Sequence, residues 1–342
     1  MLNSDTQAPA AVVFGCAGTS LSPNEYALFD AIRPAGFILF HRNIESRPQL
    51  QQLVDDLRKA SGARNPLIMI DQEGGRVQRL CSPEWPTYLS AETFGKCANV
   101  NLEKAAQLVK ANYRLIACDL VEMGINVNCA PVLDLPAPES HGIIGDRAFS
   151  NDPIVVSKLG RAACDGLTAQ GVMPVIKHIP GHGRAKVDSH IELPTIETDY
   201  LTLDETDFVP FRNLRDTPSG MTAHVVYSSI DPLEPVSSSV KVVGGVIRED
   251  LGFDGLLFSD DVCMKALSGP VWKRVQAVLN AGCDIALHCD ANFTDMAKIA
   301  ETCPVMRPRS IGRLNRAQNV CIDSEWFDKE SMRHWISATF NS

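Results

Sequence analysis

A chain of 342 residues has the length of two average domains or of one α/β barrel. Hydrophobic residues make up 45% and charged residues 21%, which supplies a large core and excludes a disordered or collagen-like chain. Lys+Arg is 32 against Asp+Glu 41, a net charge of −9; this argues against nucleic acid or a membrane surface as partner, though a local basic pocket survives it. No stretch nears the ~18 apolar residues of a membrane span. The eleven cysteines are odd in number, scattered, and form no C-x-x-C. The opening segment MLNSDTQAPAAVVFGC carries Asp5 and neither Lys nor Arg, so a secretory n-region is missing. Reduced core cysteines in a cytoplasmic protein are the expectation.

Eight short β-rich apolar runs then alternate with longer amphipathic stretches. In chain order they are Ala11–Gly18, Gly36–Phe40, Leu67–Glu73, Ile125–Leu135, Met173–Ile179, Gly220–Tyr227, Gly255–Asp261 and Cys283–Cys289. Near-continuous apolar runs of this length suit parallel strands buried on both faces. Between the third and fourth, Asn101–Met123 reads as a helix with Leu108, Leu115 and Val121 on one face and Gly124 as its stop. Asp152-Pro153 opens another helix with a cap and a first-turn proline, and Gly171 ends it. The pattern predicts a single-domain (β/α)8 barrel over about 8–305, with a helical extension over about 306–342. A doubly wound open sheet competes, but no Gly-rich dinucleotide loop follows the first strand.

In such a barrel, chemistry sits on the loops at the C-terminal ends of the strands. Polar residues cluster at those ends: Arg42-Asn43, Asp71, Asp134, Lys177-His178, His224, Asp260-Asp261 and His288. Their convergence predicts one polar pocket. The densest motif, KHIPGHGRAKVDSH at 177–190, holds three histidines, two lysines, one arginine and one aspartate. His178, His182 and His190 are candidate metal ligands, but their spacing fits no common motif and nearby cations oppose a metal ion. The alternative is an anion or sugar site, with Asp188 and His190 as an orienting carboxylate and a proton-transfer imidazole. Gly181 and Gly183 are expected to make this loop pliable. In FSDD at 258–261, one acid is expected to face the barrel mouth and Asp261 to cap the following helix. In IDQEGGRVQRL at 70–80, an acid, a double-glycine turn and two arginines suit a hydroxyl- or carboxylate-binding corner.

These segments resemble the family 3 glycoside hydrolases, and more narrowly the single-domain N-acetyl-β-glucosaminidases of peptidoglycan recycling. The resemblance is carried by GFILFHRN at 36–43, IDQEGGRVQRL at 70–80, NVNCAPVLDL at 126–135, GDRAFS at 145–150, KHIPGHGRAKVDSH at 177–190, MTAHVVY at 221–227 and FSDD at 258–261. It spans about two thirds of the chain, and KH-x-PGHG followed by DSH is its most specific part. It implies Asp260 as nucleophile, His190 as general acid/base and Asp188 as its partner. It also implies that Asp71, Arg79, Arg147, Lys177 and His178 hold the non-reducing-end sugar. The chain departs from the family's pattern at Ile179, where an aromatic is frequent, and at Val262-Cys263, where leucine-serine is usual. Arg184 and Lys186 are variable positions suited to tuning preference for an extended substrate.

The implied reaction is exo-hydrolysis of terminal N-acetyl-β-glucosamine with retention, through a glycosyl-Asp260 intermediate. The implied substrate is N-acetylglucosamine linked to 1,6-anhydro-N-acetylmuramic acid, with or without peptide. Lys177 and nearby arginines are expected to keep Asp260 ionised, while Asp188 favours the His190 imidazolium. No metal, nucleotide or redox cofactor is needed, and a monomer is expected. The alternatives are a phosphorylase using the same Asp/His pair, a broader β-glycosidase, a metal-dependent hydrolase and a sugar-sensing barrel.

Overall fold

The computed structural model describes residues 8–63, 65–138, 142–189, 192–319 and 326–340. Eight parallel strands close into a barrel: β1 (Ala10–Gly15), β2 (Pro34–Leu39), β3 (Leu67–Ile70), β4 (Val127–Asn128), β5 (Met173–Ile179), β6 (Ser219–Thr222), β7 (Leu256–Asp261) and β8 (Ile285–His288). Each pairs with its sequence neighbour, and β8 closes on β1 through Val12 opposite Ala286 and Phe14 opposite His288. The eight apolar runs therefore mark the eight strands. Strands enclosed by a helical layer are buried on both faces, which explains why alternation is absent from them. All six residues of β1 and all seven of β5 are buried.

Two runs continue apolar beyond the point where barrel pairing stops. The fourth run pairs only over Val127–Asn128, with one further bridge from Val132 to Lys177. The sixth leaves the barrel after Thr222, and its end, Val226–Tyr227, pairs instead with Thr195–Ile196.

The outer layer comprises α1 (Pro23–Ile32), α2 (Arg47–Ser61), α3 (Ala91–Ala98), α4 (Leu102–Glu122), α5 (Pro153–Thr168), α6 (Tyr200–Glu205), α7 (Val209–Asn213), a π-helix over Lys241–Asp250, α8 (Val271–Ala281) and α9 (Phe293–Thr302). Local chemistry sets the boundaries. The Asn101 side chain caps α4, and the chain turns after it at Gly124, where φ is +74°. Asp152 caps α5 by accepting from the backbone N–H of Ile154 and Val155. Leu108 and Leu115 face the core, but Val121 is 47% exposed. Six residues beyond Leu115, it has rotated off the apolar stripe, and Leu120 takes the buried place.

Beyond the barrel, α10 (Pro308–Asn319) and α11 (Lys329–Phe340) pack on its outside, with Phe340 edge-on to Phe94 of α3. The described cysteines are free thiols. No helix among the described residues is long and apolar enough to cross a membrane.

Candidate active site

Asp71, Arg79, Arg147, Lys177, His178 and Asp260, expected from the sequence to share a site, all line one cavity of about 230 Å³ at the C-terminal end of the barrel. Lys177 projects from β5 and is 2% exposed. Its Nζ donates to Asp71 Oδ1 at 2.8 Å and lies 2.7 Å from Glu73 Oε1. Arg147 grips both oxygens of Glu73 at 2.8 Å each, and Arg79 reaches Asp71 at 3.1 Å. Burial pushes the Asp71 and Glu73 carboxyls up, but the adjacent cations outweigh it. Glu73 is brought down to about 2, and Asp71 is held well below the usual carboxylate range. Burial likewise lowers Lys177, and its two carboxylate neighbours raise it above the ordinary lysine value. Two anions against three cations leave the network one positive charge in excess.

Asp260 ends β7. The backbone N–H of Asp261 donates to its Oδ1 at 2.8 Å. Burial raises this carboxyl, but His224, His178, the Asp261 amide and Lys177 together bring it below its ordinary value. The neighbouring arginines, Arg79 and Arg147, are engaged with Asp71 and Glu73.

Three further residues, Asp134, His224 and Arg76, hold this arrangement. Asp134, fully buried, accepts from the backbone N–H of His182 at 2.7 Å and lies 2.7 Å from His178 Nδ1. A carboxylate only accepts, so Nδ1 of His178 donates this bond. His224 Nε2 lies 2.9 Å from the Asp261 carbonyl and Nδ1 lies 2.5 Å from Ser237 Oγ, which fixes the ring beside the FSDD turn. Arg76 binds Asp146 at 2.6 Å and the carbonyls of Gly142, Ile143 and Ile144, pinning the loop whose isoleucines edge the cavity.

Glu73 was not among the expected site residues, and Arg76, Asp134 and His224, expected at the pocket or its corner, had no partner assigned to them. Glu73 had a signal: it follows Asp71 by two positions, and alternate residues on an extended segment share a face. For the other three the evidence is tertiary, since their partners lie at least 13 residues away.

Several expectations need correction. Of the polar strand ends, only Asp71, Lys177-His178 and Asp260-Asp261 border the cavity. Arg42 and Asn43 instead fasten the first loop, binding the Cys16 carbonyl at 3.0 Å each. Both acids of FSDD, not one, reach the cavity. Asp261 caps a tight turn by accepting from Cys263 N and Cys289 N, and burial pushes its carboxyl up. The following helix, α8, starts only at Val271.

Gly183 anchors its loop. A Cβ there would lie 1.9 Å from the Leu135 carbonyl oxygen, so the glycine permits a close backbone approach. Ser189 of the same loop borders the cavity, and its Oγ lies 3.1 Å from His182 Nε2. Asp188 is half-buried on this loop. His190 lies outside the described residues. Arg184, expected to tune an extended substrate, is tied to Asp207 at 2.6 Å; with Lys186 it borders a second cavity of about 630 Å³.

The chemistry available here is recognition of a hydroxyl-rich ligand by a charged, rigid network beside an ionised carboxylate. Comparison with known proteins agrees with it. Residues 24–311 match the glycosyl hydrolase family 3 N-terminal domain. A beta-hexosaminidase of Alkalilimnicola ehrlichii is 38% identical over 336 residues, covering 96% of this chain and 94% of its own. One from Nitrosomonas eutropha is 38% identical over 280 residues, covering 80% and 79%. The structure of NagZ from Neisseria gonorrhoeae in complex with N-trifluoroacetyl-D-glucosamine superposes with a TM-score of 0.88 at 26% identity, covering 98% of this chain and 99% of that one. The chain therefore belongs to glycoside hydrolase family 3, in its β-hexosaminidase group.

Proposed function

We propose that residues 1–342 act as one catalytic unit that removes terminal N-acetyl-β-glucosamine from the non-reducing end of its substrate with retention of configuration. The observation that carries this reading is the meeting of Asp260 in one cavity with Asp71, Lys177 and Arg147, the last two joined by Glu73. At about 230 Å³ the cavity falls below the ~300–1,000 Å³ of drug-sized ligand sites, which suits one sugar ring and exo action. The complex of the Neisseria relative with an N-acylated glucosamine supports the same ring.

Asp260, ionised, attacks the anomeric carbon as the glycosidic bond to the leaving oxygen breaks. His190, as imidazolium favoured by Asp188, gives its proton to that oxygen. Neutral His190 then takes a proton from water, whose oxygen displaces Asp260 and releases the sugar with a second inversion. An imidazole replaces the acid carboxylate of most retaining glycosidases. The natural substrate in this reading is N-acetylglucosamine linked to 1,6-anhydro-N-acetylmuramic acid, handled in the cytoplasm by a monomer during peptidoglycan recycling.

The test is hydrolysis of a chromogenic N-acetyl-β-glucosaminide beside the β-glucoside lacking the acetamide, with the first-formed anomer read by NMR. The β anomer of N-acetylglucosamine and a strong preference for the acetamide are expected. Equal turnover of both glycosides, or the α anomer first, would refute the reading. Phosphate added to the same assay should leave rate and product unchanged.

A further inference from the structure

We propose that Cys263, His288 and Asp290 form a binding site for one zinc-class divalent ion that ties the ends of β7 and β8 together. The strands bring the three side by side. Cys263 stands two residues past β7, His288 ends β8, and Asp261 pairs with Leu287 across the two strands. One ligand atom from each, Sγ, an imidazole nitrogen and a carboxylate oxygen, lies within 4.8 Å of the others. Among the described residues no other group of this kind occurs.

His288 is the second, independent observation. Its side chain is completely buried, yet neither Nδ1 nor Nε2 has a hydrogen-bond partner. Nε2 lies 3.3 Å from Asp290 Oδ1 without the geometry of a hydrogen bond. A buried polar group left unpartnered is destabilising unless something satisfies it. Asp290 is 46% exposed, which gives an ion a way in from solvent.

Thiolate, imidazole and carboxylate together select a borderline ion such as zinc over magnesium or calcium, which prefer all-oxygen shells. On binding, the Cys263 thiol loses its proton to solvent. Thiolate, neutral imidazole and carboxylate fill three positions, water fills the fourth, and no electron moves. The ion has no part in the glycosyl transfer proposed above. It would brace the turn whose backbone N–H groups, from Cys263 and Cys289, already bind Asp261.

Cobalt(II) titration of the metal-stripped protein tests this. One equivalent should give a near-UV thiolate-to-cobalt band with tetrahedral visible bands, and zinc but not magnesium should displace it. Cys263→Ser should abolish the near-UV band, and the exposed Asp290→Asn should weaken binding by more than roughly 10-fold. His288→Val should do the same, with circular dichroism checking its fold. A near-UV band of undiminished strength in Cys263→Ser, cobalt binding without a thiolate band, or no binding to the wild type would each overturn the proposal.

Discussion

Glu73 shows how much of the site rests on a group with no direct part in bond breaking. It is the common counter-ion of Lys177 and Arg147, and all three are largely buried. Glu73→Gln keeps the shape but leaves two buried cations to share Asp71, which Arg79 also claims. Breaking one side of a buried ion pair typically costs ~3–5 kcal/mol. The variant should lose about that much stability in urea denaturation and show a raised KM with a smaller change in kcat. An unchanged KM would mean that the network does not position the sugar. The sequence displays Glu73 inside a motif, but nothing in one sequence says which of Asp71 and Glu73 meets Lys177; the structure joins both to it. His224 and Asp134 are harder still to read, because each acts through a partner that only the closed barrel brings near.

At the scale of elements, the strands were legible and their ends were not. Burial on both faces writes an apolar run into the sequence, but it cannot distinguish the hydrogen-bonded part of a run from an apolar loop that continues it, as in 129–135 and 223–227. The loop from Gly181 to Ser189 illustrates a second limit. Gly183, which reads as freedom, proves to be close packing against Leu135.

His182 of that loop supplies a pH test. Burial, reinforced by His178, lowers its imidazole from 6.5 to about 4. The folded state therefore binds fewer protons than the unfolded chain between these values. The stability this provides is fully present above pH 6.5 and is lost as pH falls towards 4. The shift corresponds to on the order of 3 kcal/mol. Urea midpoints at pH 7.5 and 4.5 should fall further in wild type than in His182→Gln; parallel losses would show that another group carries the pH dependence.

Across the whole molecule, the two ends of the barrel divide the labour. The C-terminal end holds the cavity. Near the opposite end, Asp284 immediately precedes β8 and binds Arg313 of α10 at 3.0 Å and Arg248 at 2.8 Å, while Asp254 precedes β7 and binds Arg313 at 2.6 Å. Arg313 is 6% exposed and clamps the helical extension to the barrel. Arg313→Ala should therefore cost ~3–5 kcal/mol in denaturation while leaving kcat/KM near wild type at low temperature. A loss of kcat/KM without loss of stability would contradict this separation. The barrel was readable from eight repeated runs, whereas this clamp joins residues 59 positions apart and leaves no periodic trace.

In the proposed reaction Asp260 becomes glycosylated. Rapid-quench mass spectrometry of His190→Ala turning over an aryl N-acetyl-β-glucosaminide tests it most directly, because bond breaking then needs little acid help while hydrolysis of the adduct lacks its base. A burst of phenolate is expected, with one N-acetylhexosamine attached to the peptide containing Asp260. Turnover with no adduct, or an adduct on any other residue, would contradict it.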